Sequence, residues 1–231
     1  MAQEARVLRH ELKYIISDQE HAWLRDRLSA FMPMDSNADP VTRGYAIRSL
    51  YYDDPLDSAL FEKADGNPLR EKYRLRIYNL SDRRILLERK SKVINLTAKD
   101  SALLTREQCD RLLGGDFEVV RQESNPLLMA FYAKLRAYSY RPKVLVDYFR
   151  EAYVLPTGNV RITFDRDLRS GHLDTNLFSG RPSTVAVLEP GTLVLEVKYD
   201  EFFPPHIRQL LQGLLCQRMA VSKYVLCRRF H

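Results

Sequence analysis

The sequence predicts an α+β fold, a barrel-forming set of strands with flanking helices, because two kinds of segment alternate along it. Six short stretches place charged or polar residues two apart with apolar or aromatic residues between: Arg9–Tyr14, Tyr73–Tyr78, Leu87–Lys90, Asp147–Arg150, Arg161–Asp165 and Leu195–Asp200. A period of two belongs to strands, where alternate side chains share a face. Between them lie capped apolar stretches with helical spacing. Each strand then has one apolar face and one rich in Lys, Arg and Glu. Charged faces turned into a closed barrel would make a mostly cationic lumen with a few carboxylates.

Residues 6–16 read as the first strand. Ser17-Asp18 caps a helix reaching Met32, with Trp23, Leu24, Leu28 and Phe31 on one stripe. A polar, proline-bounded loop follows from Pro33 to Arg43. Residues 44–53 form a second strand, stopped by Asp53-Asp54-Pro55, and a short helix runs through Phe61. Strands near 70–79, 83–93 and 95–103 are joined by turns at Asn79–Asp82 and around Asn95. Thr105 with Gln108 is a capping box for a helix to Leu113, closed by Gly114-Gly115. Asn125 and Pro126 serve as N-cap and first residue of an apolar helix to about Tyr140. Strands return at 143–155 and 159–167. The Gly-, Ser-, Pro- and Thr-rich stretch 168–191 reads as a mobile excursion. A strand at 192–199 and a helix from His206 to Met219 follow, and Val221–Arg229 ends the chain. Without an internal repeat or a composition shift, residues 1–231 read as one domain.

Composition narrows the partners. Thirty-six Lys and Arg against thirty Asp and Glu give +6, a mild excess that favours an anionic partner without choosing one. The three cysteines, Cys109, Cys216 and Cys227, lack metal-site spacing and read as reduced, buried thiols. The start, Met1-Ala2-Gln3-Glu4, lacks a signal-peptide layout, and no apolar run is long enough to span a bilayer. The expected location is cytoplasmic.

What is missing from the chain is informative too. There are nine glycines, and neither a GxxxxGK[ST] nor a GxGxxG pattern occurs, so phosphate would be held by side chains rather than by a backbone cradle. No GxSxG occurs, and the five histidines have no metal-ligand spacing. The remaining chemistry is Lys, Arg and carboxylate. Arg74 and Arg76 project from one strand face about 7 Å apart, a spacing suited to neighbouring phosphates. Glu88 with Lys90 and Glu196 with Lys198 repeat the arrangement with a carboxylate first. A carboxylate beside bound phosphates is how Mg²⁺ or Mn²⁺ is held. A sheet with one wet face also alternates in this way. Such faces mix in Ser, Thr, Gln and Asn, however, whereas these positions are mostly Arg and Lys on strands far apart in sequence.

The order of Arg9-x-Glu11-x-Lys13-Tyr14, Ser49-Leu50-Tyr51-Tyr52-Asp53, Tyr73-Arg74-Leu75-Arg76-x-Tyr78, Glu88-Arg89-Lys90, Tyr148-x-Arg150, Val160-Arg161-Ile162, Leu195-Glu196-Val197-Lys198 and Val221-Ser222-Lys223-Tyr224 resembles the polyphosphate polymerase (VTC) domain of the triphosphate tunnel metalloenzyme superfamily. The resemblance implies a closed antiparallel eight-stranded tunnel barrel binding triphosphate. It assigns phosphate binding and catalysis to Lys13, Arg74, Arg76, Lys90, Arg150, Arg161, Lys198 and Lys223. Glu11, Glu88, Lys99, Tyr148 and Ser222 would support the substrate, and Glu196 would hold Mn²⁺ or Mg²⁺. Hydrolytic members of that superfamily open with Glu-x-Glu-x-Lys, whereas this chain has Arg9-x-Glu11-x-Lys13. Trading the first carboxylate for Arg favours an already anionic phosphate acceptor over water. The expected activity is transfer of the terminal phosphoryl group of ATP to growing polyphosphate. The alternatives are a triphosphatase of the same fold and a non-catalytic polyanion-binding module. Nucleic acid fits poorly with charge held in a lumen. A membrane protein that receives the product, holding the chain at the inner face of a membrane, is the partner this reading leaves room for.

Overall fold

The computed structural model describes residues 9–93, 96–171, 174–214 and 222–229. The start of the first expected strand, the turn at Asn95, the end of the helix expected to reach Met219, Cys216 and Val221 lie outside the described residues. In chain order the elements are β1 (His10–Ser17), α1 (Asp18–Leu28), β2 (Tyr45–Asp53), α2 (Ser58–Ala64), β3 (Leu69–Tyr78), β4 (Ser81–Val93), β5 (Leu96–Leu104), α3 (Arg106–Leu113), α4 (Pro126–Ala137), β6 (Arg141–Leu155), β7 (Val160–Gly171), β8 (Val185–Ala186), β9 (Thr192–Tyr199), α5 (Pro205–Gln212) and α6 (Lys223–Arg228).

Local chemistry sets the boundaries. The predicted capping box of Thr105 with Gln108 forms, and the predicted cap at Ser17 proves to be a second box, closed by Glu20. Asn125 accepts the first free amides of α4, with Pro126 at its first position. Asn79 and Leu80 take positive φ, the two-residue turn that joins β3 to β4. Gly213 ends α5 close against Trp23: a Cβ there would stand 2.7 Å from the ring, which would have to shift.

All strand pairs are antiparallel and follow the order β1-β9-β7-β6-β2-β3-β4-β5, with the two-residue β8 beside β7. The eight-stranded expectation holds for the path, but the closed barrel does not. β1 and β5 end the path and, among the described residues, meet only at the isolated bridge Arg9↔Thr97. Over the described residues the sheet is therefore open in hydrogen bonding, though curled enough to bring its edges together.

Two apolar cores cover the outside of the curl. Under α3 and α4 lie Leu50, Tyr52, Tyr73, Leu75, Leu87 and Phe131. Under α1 and α5 lie Ile16, Leu24, Leu28, Ile162, Leu195 and Ile207. A third cluster sits on the inner face, where Val144, Val146 and Tyr148 of β6 and Ile47 and Tyr51 of β2 receive Tyr224 and Cys227 of α6. Alternation explains the division: Leu145 of β6 faces the outer core and its neighbours the inner cluster.

The stretch read as a mobile excursion is pinned over its described part. Buried Leu177 joins the outer core, and Arg48 donates to the carbonyls of Leu177 and Ser179 while pairing with Asp147 at 2.8 Å. Its Gly, Ser and Pro content reflected turns rather than freedom. No helix among the described residues is long and apolar enough to cross a membrane.

Candidate active site: a cationic tunnel

The inner face of the curl encloses a cavity of about 620 Å³. Eleven Lys and Arg residues line it against three carboxylates, so much of the chain's positive charge converges on one space. Every cation assigned from the sequence is there: Lys13 from β1, Arg74 and Arg76 from β3, Lys90 from β4, Lys99 from β5, Arg150 from β6, Arg161 from β7, Lys198 from β9 and Lys223 from α6. Tyr148, Ser222, Glu11 and Glu196 line it as well.

Glu88 stands apart. It is 1% exposed and, opposite Arg74 on the inner face of the sheet, is buried beneath the cations, where it takes Arg74 at 2.7 Å, Lys99 at 3.0 Å and Arg76 at 3.6 Å. Its burial raises the cost of charge, yet Arg74, Arg76 and Lys99 outweigh it and hold the carboxyl far below the usual range. In this position Glu88 is a counter-ion that aims the lumen cations Arg74, Arg76 and Lys99.

The β1–β9 ladder sets opposite charges face to face, Lys13 across from Glu196 and Glu11 across from Lys198. Lys13 lies 3.1 Å from Glu11 and 3.7 Å from Glu196, and Lys198 reaches Glu196 at 3.2 Å. Lys90 crosses from β4 to Glu11 at 2.6 Å, tying the edge strand β1 to the far end of the sheet through side chains. Burial, then the nearby Lys13 and Lys198, push Lys90 down to about 8 despite Glu11 and Glu196. For Glu196, burial opposes ionisation, but Lys198, Lys13 and Lys223 keep it well below the ordinary carboxylate range.

On the other side, Arg150 makes a two-pronged contact with Asp165 at 2.7 and 2.8 Å, and Lys223 pairs with the same carboxylate at 2.5 Å. Arg76 donates to the hydroxyls of Ser49 and Tyr148. Arg161 is held by Asp35 and by the Tyr45 hydroxyl. Lys223 reaches the cavity because α6 is fastened at several points. The Tyr224 hydroxyl donates to Asp53 at 2.5 Å, Arg228 pairs with Asp57 at 2.7 Å, and Ser170 donates to the carbonyl of Cys227.

Sequence reasoning missed Lys72, Tyr51, Tyr45, Asp165 and Asp35 as site residues. Lys72 and Asp165 were within reach, because Lys72-x-Arg74-x-Arg76 and Arg161-x-Thr163-x-Asp165 each extend a period-two face by one step. Asp35 had no local signal. It comes from the loop after α1, where its amide bonds the Ala152 carbonyl and carries the carboxyl to Arg161.

The metal assignment can be weighed on the donor set. Glu11 and Glu196 share the Lys13 ammonium, which lies within 4 Å of both. No third His, Cys, Asp or Glu joins them among the described residues. Two hard carboxylates opening onto a phosphate-sized space fit Mg²⁺ or Mn²⁺, which take one or two carboxylates and fill the remaining positions with substrate oxygens and water.

A tunnel of this kind, walled by eight antiparallel strands and lined with paired cations, has counterparts among known proteins. The family model for the VTC domain matches residues 8–230, nearly the whole chain. The chain belongs to the VTC domain family. The VTC assignment agrees with the fold of two solved structures. One, a protein of Pyrococcus horikoshii OT3, is 16% identical with a TM-score of 0.50, covering 96% of this chain and 99% of that one. The other, from Vibrio parahaemolyticus and named a putative adenylate cyclase, is 12% identical with a TM-score of 0.52 and the same coverage. At such identities the likeness is one of fold. Among curated proteins, none matches this VTC domain at a significant level.

Proposed function

We propose that this VTC domain is a phosphotransferase that moves the terminal phosphoryl group of ATP onto a growing polyphosphate chain. The convergence of eleven cations on one cavity, with the Glu11–Glu196 pair at its wall, carries the reading. A terminal oxygen of the acceptor attacks the γ-phosphorus, and the bond from that phosphorus to the β–γ bridging oxygen breaks. ADP departs and the chain is one phosphate longer. The attacking oxygen is already anionic, so no base is needed; alignment and charge neutralisation suffice.

Arg74, Arg76, Arg150 and Lys223 would align the phosphates, their directions fixed from behind by Glu88 and Asp165. Lys13, Lys90 and Lys198 would neutralise charge that develops on the leaving group. Mg²⁺ or Mn²⁺ held at Glu11 and Glu196 would polarise phosphate oxygens. Glu11 and Glu196 are poor bases for water, since both are held below the ordinary range. That favours transfer to phosphate over hydrolysis. The triphosphatase alternative is separated by product: purified protein with ATP and Mn²⁺ should yield chains that form a ladder on a gel. Free phosphate without chains would overturn the transferase reading, and a membrane protein that receives the chains would be the natural partner.

A further inference from the structure

Lysines from three neighbouring strands meet in one row of the lumen. The β3–β4 ladder sets Lys72 opposite Lys90, the β4–β5 ladder sets Lys90 opposite Lys99, and all of them line the cavity. Like charges directly opposite one another destabilise a sheet, so such a row needs compensation. Lys90 reaches Glu11 at 2.6 Å and Lys99 reaches Glu88 at 3.0 Å. Lys72 lies against α6, its ammonium 4.5 Å from the centre of the Tyr224 ring and 3.5 Å from the Ser222 hydroxyl. The apolar neighbours Tyr73, Leu75 and Ile77 turn to the outer core, which fixes the alternate residues of β3 on the inner face.

Along β3 that inner face reads Lys72, Arg74, Arg76 and Tyr78, one side chain about every 7 Å. The phosphates of a nucleoside triphosphate, joined by bridging oxygens, cover about one such step. A nucleotide engaged by Arg74 and Arg76 therefore has no phosphate left for Lys72. Past Arg76 the charge on β3 stops at Tyr78, whereas past Lys72 it continues to Arg70, opposite Lys92 in the β3–β4 register. A chain with a phosphate at every unit matches that continuation, and a nucleotide does not. We propose that Lys72 is a specificity-determining residue for the acceptor: it binds the polyphosphate chain and not the nucleotide, as the first of the row Lys72–Lys90–Lys99. This rests on the phosphotransfer reading of the cavity and adds which part of it takes the chain. Lys90, in the middle of the row, then stands where the two substrates meet.

Calorimetry with ATP and with long-chain polyphosphate, each titrated alone, tests the inference. Lys72→Gln should weaken polyphosphate binding about tenfold, the loss for one hydrogen bond to a charged group, and leave ATP binding unchanged. Unchanged ATP binding also reports that the tunnel is intact. Lys72→Arg should restore the wild-type affinity for polyphosphate. With polyphosphate supplied as primer, Lys72→Gln should raise KM for the primer and leave KM for ATP as it was. Equal loss for both ligands in Lys72→Gln would place Lys72 in the nucleotide clamp, and no loss for either would take it out of ligand binding. Each of those results overturns the acceptor role and leaves the phosphotransfer reading standing. Wild-type protein that binds neither ligand would overturn both.

Discussion

Glu196 shows how much one carboxylate can organise. Lys13, Lys198, Arg150 and Lys223 all lie within 4 Å of it. Glu196→Gln should abolish turnover while tripolyphosphate still binds, because it removes a metal ligand and releases cations rather than losing them. Turnover at the wild-type rate would remove Glu196 from the reaction, and undetectable binding would assign it a structural role. Lys90 supplies a pH signature. With its folded value near 8, the empty tunnel sheds that proton as pH rises through 8, and a bound polyanion draws it back. Binding of metal-free ATP at about pH 8.5 should therefore take up protons, and affinity should fall above that pH. Calorimetry in two buffers of different ionisation heat measures the uptake, and Lys90→Met should lose most of it. Equal uptake in mutant and wild type would move the titration to another group. The Lys and Arg positions of the site were legible because they repeat every second residue. Glu88 was legible as a residue but not as a buried counter-ion, since period two gives the face of a strand and not the depth of a side chain in the wall.

Among the elements, α6 is short, and its own hydrogen bonds contribute little. It holds its place through Tyr224, Arg228 and the buried Cys227. Tyr224→Phe removes a hydrogen bond to a buried carboxylate and should cost about 1.5–3 kcal/mol in urea unfolding. It should also weaken tripolyphosphate binding, because Lys223 and Ser222 ride on the same segment. A variant as stable as wild type that binds as tightly would show that other contacts suffice to hold α6. Gly44 is a second point of close packing. A Cβ there would lie 2.3 Å from the Arg150 carbonyl and 2.6 Å from the Phe149 ring, so Gly44→Ala should destabilise the β2–β6 pairing by about 1–3 kcal/mol in the same assay. Unchanged stability would mean the strands can part at no cost. Strand order and the inner placement of α6 left no trace in any single segment, because both depend on which apolar faces meet.

At the scale of the whole molecule, the tunnel gathers like charges that a folded protein ordinarily keeps apart. Glu11, Glu88, Asp165 and Glu196 offset part of the repulsion, yet cations remain in excess. A polyanion relieves that excess in the folded state alone. At a hundred times its dissociation constant, tripolyphosphate should add ~2.7 kcal/mol and raise Tm by about 5–10 °C for a chain of this size. Chloride at equal ionic strength should give far less. A melting curve unmoved by tripolyphosphate would deprive the tunnel of its ligand. The sequence alone determined most of the elements, the charged faces of the main strands and the family, because strand periodicity, helix caps and motif order are local and survive without a partner; β8 and α6 escaped it. Only the tertiary structure decided that the described sheet stays open between β1 and β5 and that Asp35 and Asp165 serve lumen arginines. Those outcomes depend on distances between residues far apart in the chain, set by how the sheet curls and what covers it.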